Sequence, residues 1–380
     1  MTNGNGYIRV ISGNTSRLLA DEVCGILKID TTDAMVESYN DGSPRVRIRE
    51  SVRGEKVYII NQTGFPDRNL TEMVHLSRAV WCSGGTPIMI IPYIGDNRAD
   101  KRDEPHAAPG AVIHIDTLMV GKPSMAVVYD PHAETTMEFF GCPSAKLYSS
   151  FVIGPHLKSL VAGREHEFAT ASPDAGRSKA AKWYADYLGI ELCGDLSKYR
   201  PAAGQTDRDL VRCGFDPIGK KIILIDDIVD TGGTIADAAG KLYELGAENV
   251  YVCAVHAVLS KNALERMDKA MVTEFITTNT IYHSPEELKT EKMKVTVLSI
   301  APLVARTIKR LHNNKALSPL IIQKERLMEL ELDKLLNECP HYSKEEDDEG
   351  ECSFRGLGHE CWIRSKKDLL HCKGYPRSES

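Results

Sequence analysis

No stretch of the 380-residue chain approaches the roughly 18 consecutive apolar residues of a membrane helix. The opening residues, Met1-Thr-Asn-Gly-Asn-Gly6, lack the basic segment and apolar run of a secretory leader. Both absences predict a soluble protein of the cytoplasm with no membrane partner. Positive charge is also in short supply: 47 Lys and Arg against 53 Asp and Glu leave a formal net charge of −6. That balance excludes a general nucleic-acid surface and leaves local basic pockets for small anions, so small molecules are the expected partners. A disulfide framework is missing too. Six of the ten cysteines (Cys24, Cys82, Cys142, Cys193, Cys213 and Cys253) are scattered among ordinary globular neighbours, as reduced thiols are. The other four fall in the last 42 residues.

What the chain has is apolar material for two domains, with a hydrophobic content of 42%. Short β-branched runs at 57–61, 87–92, 126–129, 221–225 and 250–255 read as fully buried strands alternating with helical patterns. That alternation predicts an α/β protein whose mainly parallel sheets carry helices on both faces. A boundary near residues 150 to 160 gives two related halves, 1–155 and 156–318. Beyond Ser318, residues 320–337 read as an amphipathic helix ended by Pro340. The run Glu345-Glu-Asp-Asp-Glu349 reads as a solvated linker, and the Cys- and His-containing tail that closes 319–380 is too short for a large core.

The most informative segment is Ile222-Ile-Leu-Ile-Asp-Asp-Ile-Val-Asp-Thr-Gly-Gly-Thr234. A buried strand enters a glycine-rich loop, and Ile235, Ala238, Ala239, Leu242 and Leu245 then recur at helical spacing until Gly246. Gly232 and Gly233 let the backbone approach a phosphate, the following helix N-terminus offers N–H groups, and Asp230, Thr231 and Thr234 add polar side chains. Asp226 and Asp227 stand at the carboxyl end of the strand, where open α/β sheets place ligands, and carboxylates there suit ribose hydroxyls. Asp-Thr-Gly-Gly is also good turn chemistry, which is the competing reading.

Over residues 7 to 318 the sequence resembles the ribose-phosphate pyrophosphokinases. The resemblance is carried by Ile11-Ser-Gly-Asn14, Arg47-Ile-Arg-Glu-Ser-Val-Arg-Gly54, Asp67-Arg-Asn-Leu70, Ile91-Pro-Tyr93, Asp130-Pro-His-Ala-Glu134, Ser172-Pro-Asp-Ala-Gly176 and Thr278-Asn-Thr-Ile281, in that order, together with the 222–234 loop. It implies two phosphoribosyltransferase-like α/β domains, an ATP side in the first half and a ribose-phosphate side in the second, assembled as a homo-oligomer, commonly a hexamer. The implied reaction moves the β,γ-diphosphate of ATP to the anomeric hydroxyl of ribose 5-phosphate and releases AMP. Positioning, Mg2+ and cationic side chains would carry such a phosphoryl transfer.

The same resemblance distributes roles. Asp130 and His132 match the metal-binding pair, though histidine is an unusual ligand for so hard an ion. Asp174 matches an acidic position near ribose and metal. Lys198 and Arg200 match the basic pair of a closing catalytic loop. Tyr39 and Asp41 match the adenine-binding residues of a hairpin that reaches a neighbouring subunit, and Arg98 and Asp100 match a nucleotide-contacting segment.

Several positions depart from the family pattern. Ser43, Ala99 and Ala202 replace an acid, a glutamine and a basic residue, Val255 and Ala257 flank His256 where Thr and Pro are usual, and Arg177 stands where a second glycine is common. Arg177 is either a new cation beside the sugar pocket or a surface side chain. Recharging there, with a C-terminal extension, also suits ADP-ribose as the acceptor, as in some phage members that rebuild NAD. A non-catalytic regulatory homologue is the third reading, disfavoured by the retained Lys198, Arg200, Asp130, His132 and complete loop. In the tail, Cys339, His341, Cys352, His359, Cys361, His371 and Cys372 could build a Zn2+ site or a partner-docking segment, but no Cys-x-x-Cys pair is present.

Overall fold

The computed structural model describes residues 7–102, 105–196 and 217–320, with two short paired strands at Tyr342–Ser343 and Glu351–Cys352. The chain forms two compact units, Met1–Ile321 and Ile322–Ser380. Apart from Leu320, the amphipathic segment expected at 320–337 lies outside the described residues, as do the acidic run and the tail's candidate zinc side chains.

Within the first unit, one sheet holds β1 (Arg9–Ser12), β4 (Lys56–Ile60), β5 (Thr86–Ile91), β6 (Met125–Tyr129) and β7 (Ser144–Leu147) in that spatial order, with every pair parallel. Alternate residues point to opposite faces, and both faces are buried. Val10, Tyr58, Ile60, Ile90 and Val127 enter one apolar cluster, while Ile11, Val57, Ile59, Met89 and Val128 enter the other. Helices α1 (Arg17–Leu27), α2 (Arg68–Cys82), α3 (Gly110–Met119) and α4 (Ser150–Val161) accompany these strands. The hairpin of β2 (Ala34–Ser38) and β3 (Pro44–Ile48) pairs only with itself.

The second sheet contains β8 (Phe168–Ser172), β9 (Glu191–Asp195), β10 (Lys221–Val229), β11 (Asn249–Ala257), β12 (Glu274–Thr278) and β13 (Lys294–Leu298), again all parallel. Its order is β13-β12-β11-β10-β8-β9. The chain leaves β8 outward to β9 and returns on the opposite side as β10, so the strand order reverses between β8 and β10. Such a switch point opens a crevice at the carboxyl ends of the strands. The register widens it: β8 pairs with β10 only as far as Ala171 opposite Leu224, whereas β10 continues to Val229.

Helices α5 (Ser178–Leu188), α6 (Gly233–Glu244) and α7 (Ala263–Lys269) belong to this half, and the apolar face of α6, with Ile235, Ala238, Ala239 and Leu242, is buried as its spacing predicts. The final helix, α8 (Ala301–His312), does not stay with the second sheet. Its Leu303, Val304 and Ile308 join the cluster of Val10, Tyr58 and Tyr129, and the Tyr129 hydroxyl donates to Thr307 Oγ1 at 3.0 Å. Residues 301–320, grouped by sequence with the second half, therefore complete the core of the first sheet.

Candidate active site

The crevice at the switch point is a cavity of about 380 Å³. The second sheet contributes Asp174 and Arg177 from the turn after β8, and the whole run from Asp226 to Ile235. From the first sheet come Arg98, Asp100 and Lys101, beyond β5, and His132 with Ala133, just after β6. Residues the sequence pattern had assigned to nucleotide and to ribose phosphate thus share one space.

The 230–234 loop has the geometry of an anion cradle. Gly232 caps α6 in the left-handed region, with φ of 72°, and offers no side-chain cap to the first helical turn. A helix start without such a cap is suited to an external anion. Gly232 also needs to be glycine, because a Cβ there would lie 2.8 Å from the Ala263 carbonyl oxygen. Asp230 is held from two sides: Arg98 donates to Oδ2 at 2.9 Å, and the Ser260 hydroxyl donates to Oδ1.

Asp226 and Asp227 are both mostly buried, with side chains 14% and 11% exposed. Burial and the neighbouring Asp227 charge push the Asp226 carboxyl well above its ordinary range. Burial also opposes charge on Asp227, but the His132 ring and the Arg177 guanidinium overcome it and hold that carboxyl below the usual range. The pair therefore enters neutral pH as one protonated and one ionised carboxyl, which gives a hydrogen-bond donor beside an acceptor.

One sequence expectation comes out differently in space. Asp130 and His132 do not converge in the cavity. The Asp130 carboxylate accepts from the Ser149 backbone N–H at 2.7 Å and from its hydroxyl at 2.6 Å, ahead of α4, and does not line the cavity. The Asp130 backbone takes a left-handed φ of 45° as the chain turns off β6. Burial lifts its carboxyl to about 7, against the opposing pull of Ser149. Among the described residues, no group of three or more His, Cys, Asp or Glu side chains is arranged to hold a metal ion. Of the expected Asp130 and His132 pair only His132 lines the cavity in this arrangement, and no chemical step is assigned to a metal there.

Tyr39 and Asp41, expected to serve a neighbouring subunit, lie outside the cavity of their own chain at the exposed turn of the β2–β3 hairpin, where Arg45 lies 5.6 Å from the Tyr39 ring centre. The departure at Ser43 has a local explanation. Its N–H and hydroxyl both donate to Asp41 Oδ1, at 2.9 and 2.6 Å, closing the turn. Lys198, Arg200 and Ala202 lie outside the described residues.

Four contributors had no assigned role in the sequence reading. Lys101 lines the cavity and Ser260 braces Asp230. His256, fully buried and driven by that burial to about 4, is neutral; it joins the Thr280 hydroxyl at 3.0 Å to the Asp130 carbonyl at 3.1 Å and lies 4.9 Å from the Tyr93 ring. Ser149 holds Asp130. Their only sequence signal was proximity to quoted motifs.

Comparison with known proteins agrees with this geometry. Residues 8–120 match the family described as the N-terminal domain of ribose phosphate pyrophosphokinase, and residues 201–322 match the phosphoribosyl synthetase-associated domain. A ribose-phosphate pyrophosphokinase of Campylobacter jejuni is 34% identical over 319 residues, covering 83% of this chain and 99% of its own. The chain belongs to the ribose-phosphate pyrophosphokinase family. The Wolinella succinogenes ribose-phosphate pyrophosphokinase is 33% identical over the same shares of both chains. The crystal structure of phosphoribosylpyrophosphate synthetase from Mycobacterium smegmatis superposes with a TM-score of 0.73 at 29% identity, over 81% of this chain and all of that one. The fold is accordingly the phosphoribosyltransferase-like α/β fold of that family, and this member is longer than those relatives.

Proposed function

We propose that the protein transfers the β,γ-diphosphate of ATP to the anomeric hydroxyl of ribose 5-phosphate, giving phosphoribosyl pyrophosphate and AMP. The observation that carries this reading is the single cavity in which the Asp226–Thr234 strand and loop face Arg98, Asp100, Lys101 and His132 from the other sheet. A sugar phosphate seated with its 5-phosphate on the 230–234 loop would place its ribose hydroxyls toward Asp226 and Asp227. Asp174 lies on the same side.

In that pose the anomeric oxygen attacks the β-phosphorus, the bond to the α-phosphate oxygen breaks, and AMP leaves. Charge on the moving diphosphate falls to Arg98 and to Lys198 and Arg200, whose roles rest on the family resemblance. Tyr39 and Asp41 would take adenine in a partner's cavity within a homo-oligomer, commonly a hexamer in the family. Mg2+ belongs to this reading as the counter-ion of ATP, where it would neutralise phosphate charge.

ADP-ribose as acceptor rested on an enlarged or recharged pocket near Arg177 and on the C-terminal extension. The Arg177 guanidinium lines the cavity but is engaged by Asp227 and His132, which weakens the first of these arguments. The test is to incubate the full chain with ATP and Mg2+ plus ribose 5-phosphate or ADP-ribose, following AMP release and product mass. AMP and phosphoribosyl pyrophosphate from ribose 5-phosphate are expected; a pyrophosphorylated product from ADP-ribose alone would replace this acceptor with the other, and no product from either would overturn diphosphate transfer.

A further inference from the structure

The turn after β8 carries a cation whose reach is inward. Arg177 Nη2 lies 2.6 Å from Asp227 Oδ2, 2.7 Å from His132 Nδ1 and 3.3 Å from the His132 carbonyl oxygen. Its Nε lies 3.8 Å from Asp226 Oδ1. His132 Nδ1 itself lies 2.7 Å from Asp227 Oδ2, so imidazole, carboxylate and guanidinium form one three-way cluster. One nitrogen is thus surrounded by a carboxylate oxygen, an imidazole nitrogen and a carbonyl oxygen.

These are donor atoms of the kind that bind divalent cations. Here they converge on a guanidinium that stays charged at any working pH. The position is also pre-set by the backbone. Arg177 closes the short turn Ala175–Arg177, where Gly176 N–H donates to Asp174 Oδ1 at 2.9 Å, and it immediately precedes α5. The Arg177 side chain is 21% exposed, so most of its charge is spent against these partners rather than against water.

We propose that Arg177 is a tethered counter-ion that takes the place of a divalent cation between His132 and Asp227, so the acceptor half of the cavity is assembled without a metal of its own. A glycine at the position would leave the Asp227 carboxylate, the His132 imidazole and the His132 carbonyl oxygen facing an open space. The proposal rests on reading this cavity as the acceptor site.

The test is a titration of the full-length protein with Mn2+, followed by electron paramagnetic resonance, with neither nucleotide nor sugar present. Arg177→Gly is expected to bind one Mn2+ per chain more than wild type, and the double variant Arg177→Gly, His132→Ala is expected to lose that added ion. Counting the difference from wild type removes any Mn2+ taken up by the acidic run or the tail. Equal Mn2+ stoichiometry and affinity in wild type and Arg177→Gly would overturn the proposal, as would an added ion that survives loss of His132. Should Arg177→Gly fail to fold by circular dichroism, Arg177→Gln, neutral and of similar length, must show the same gain, and its absence there would equally sink the idea. Because no substrate is present, failure of this titration is distinct from failure of the activity assay.

Discussion

Gly232 and Gly233 are adjacent in one loop, yet their substitution by alanine should have opposite consequences. At Gly232 the backbone has φ of 72°, and a Cβ would meet Ala263 O at 2.8 Å, Cα at 3.2 Å and C at 3.3 Å. These are backbone atoms at the start of α7 and cannot rotate away. A left-handed alanine costs about 1–2 kcal/mol, and forcing the contact costs roughly 1–3 kcal/mol more. With roughly 2–4 °C of melting temperature per kcal/mol in chains of this size class, Gly232→Ala should melt on the order of 5–15 °C below wild type.

At Gly233 the corresponding Cβ meets Thr231 Oγ1 at 3.7 Å and Arg266 Nη1 at 3.9 Å, which are ordinary contacts. Gly233 opens α6, where alanine is the better helix former by up to about 1 kcal/mol. Gly233→Ala should therefore melt within about 2 °C of wild type. Its methyl nevertheless narrows the approach of a phosphate, and the KM for ribose 5-phosphate should rise roughly tenfold, about 1.4 kcal/mol of lost contact. Differential scanning calorimetry and AMP-release kinetics on the two variants separate the effects. If both variants lose stability equally, the loop is not held against α7 as described. If Gly233→Ala leaves the KM for ribose 5-phosphate unchanged, the phosphate does not sit on this helix start.

Three further outcomes follow from the same geometry. The Asp130 carboxyl, lifted to about 7 by burial, keeps its proton in the folded state where the unfolded chain, at about 3.9, has lost it. Its contribution to stability is complete below about pH 4 and disappears as pH rises to about 7, at up to about 1.4 kcal/mol per pH unit. Urea denaturation at pH 5 and pH 7 should show a smaller loss for Asp130→Asn than for wild type, and equal losses would contradict the burial argument. Arg98→Ala removes the 2.9 Å pair with Asp230, but Arg98 is 56% exposed. The stability change should therefore stay under about 1 kcal/mol while kcat falls on the order of 100-fold, and a variant that keeps its kcat would take Arg98 out of the chemistry. Lys198→Ala should lower kcat by roughly 10²- to 10³-fold with unchanged melting, whereas full activity would remove Lys198 from the catalytic loop.

The strands that sequence reading found are continuous apolar runs buried on both faces, whereas β8 and β12, equally buried but interrupted by Thr, Ser or Glu, escaped it. The runs at 57–61, 87–92 and 126–129 fall within a residue of β4, β5 and β6 at either end, because a continuous apolar run is what a doubly covered parallel strand requires. Less apolar strands escaped it. β13 sits at a sheet edge with partly exposed Lys294–Leu298, and β9, at the other edge, begins on an exposed Glu191. β10 and β11 run on to Val229 and Ala257, past the expected ends at 225 and 255. Asp226 and Asp227 read in the sequence as a strand end, but their partners are not legible there because they are distant: Arg177 precedes Asp227 by 50 residues and His132 by 95. The Asp130 placement failed for a related reason. A carboxylate at a strand end is a sound ligand candidate, but nothing local shows that Ser149, 19 residues on, will bind it first.

The charge around the cavity bears on what else the reaction needs. Among the described residues that line the cavity, Asp100, Asp174, Asp226, Asp227 and Asp230 outnumber Arg98, Lys101 and Arg177, and Arg98 and Arg177 are paired with Asp230 and Asp227. Even with Asp226 protonated, the walls carry net negative charge, and a bare polyphosphate entering them is repelled. A diphosphate donor must therefore bring its own cations or be met by others as it binds. Mg2+ travelling with the nucleotide would meet that condition, as would the cationic roles that the family resemblance implies for Lys198 and Arg200. If it holds, substituting Arg98 should weaken ATP binding more at low Mg2+ than at high Mg2+. Equal weakening at both would mean that the walls do not repel the donor.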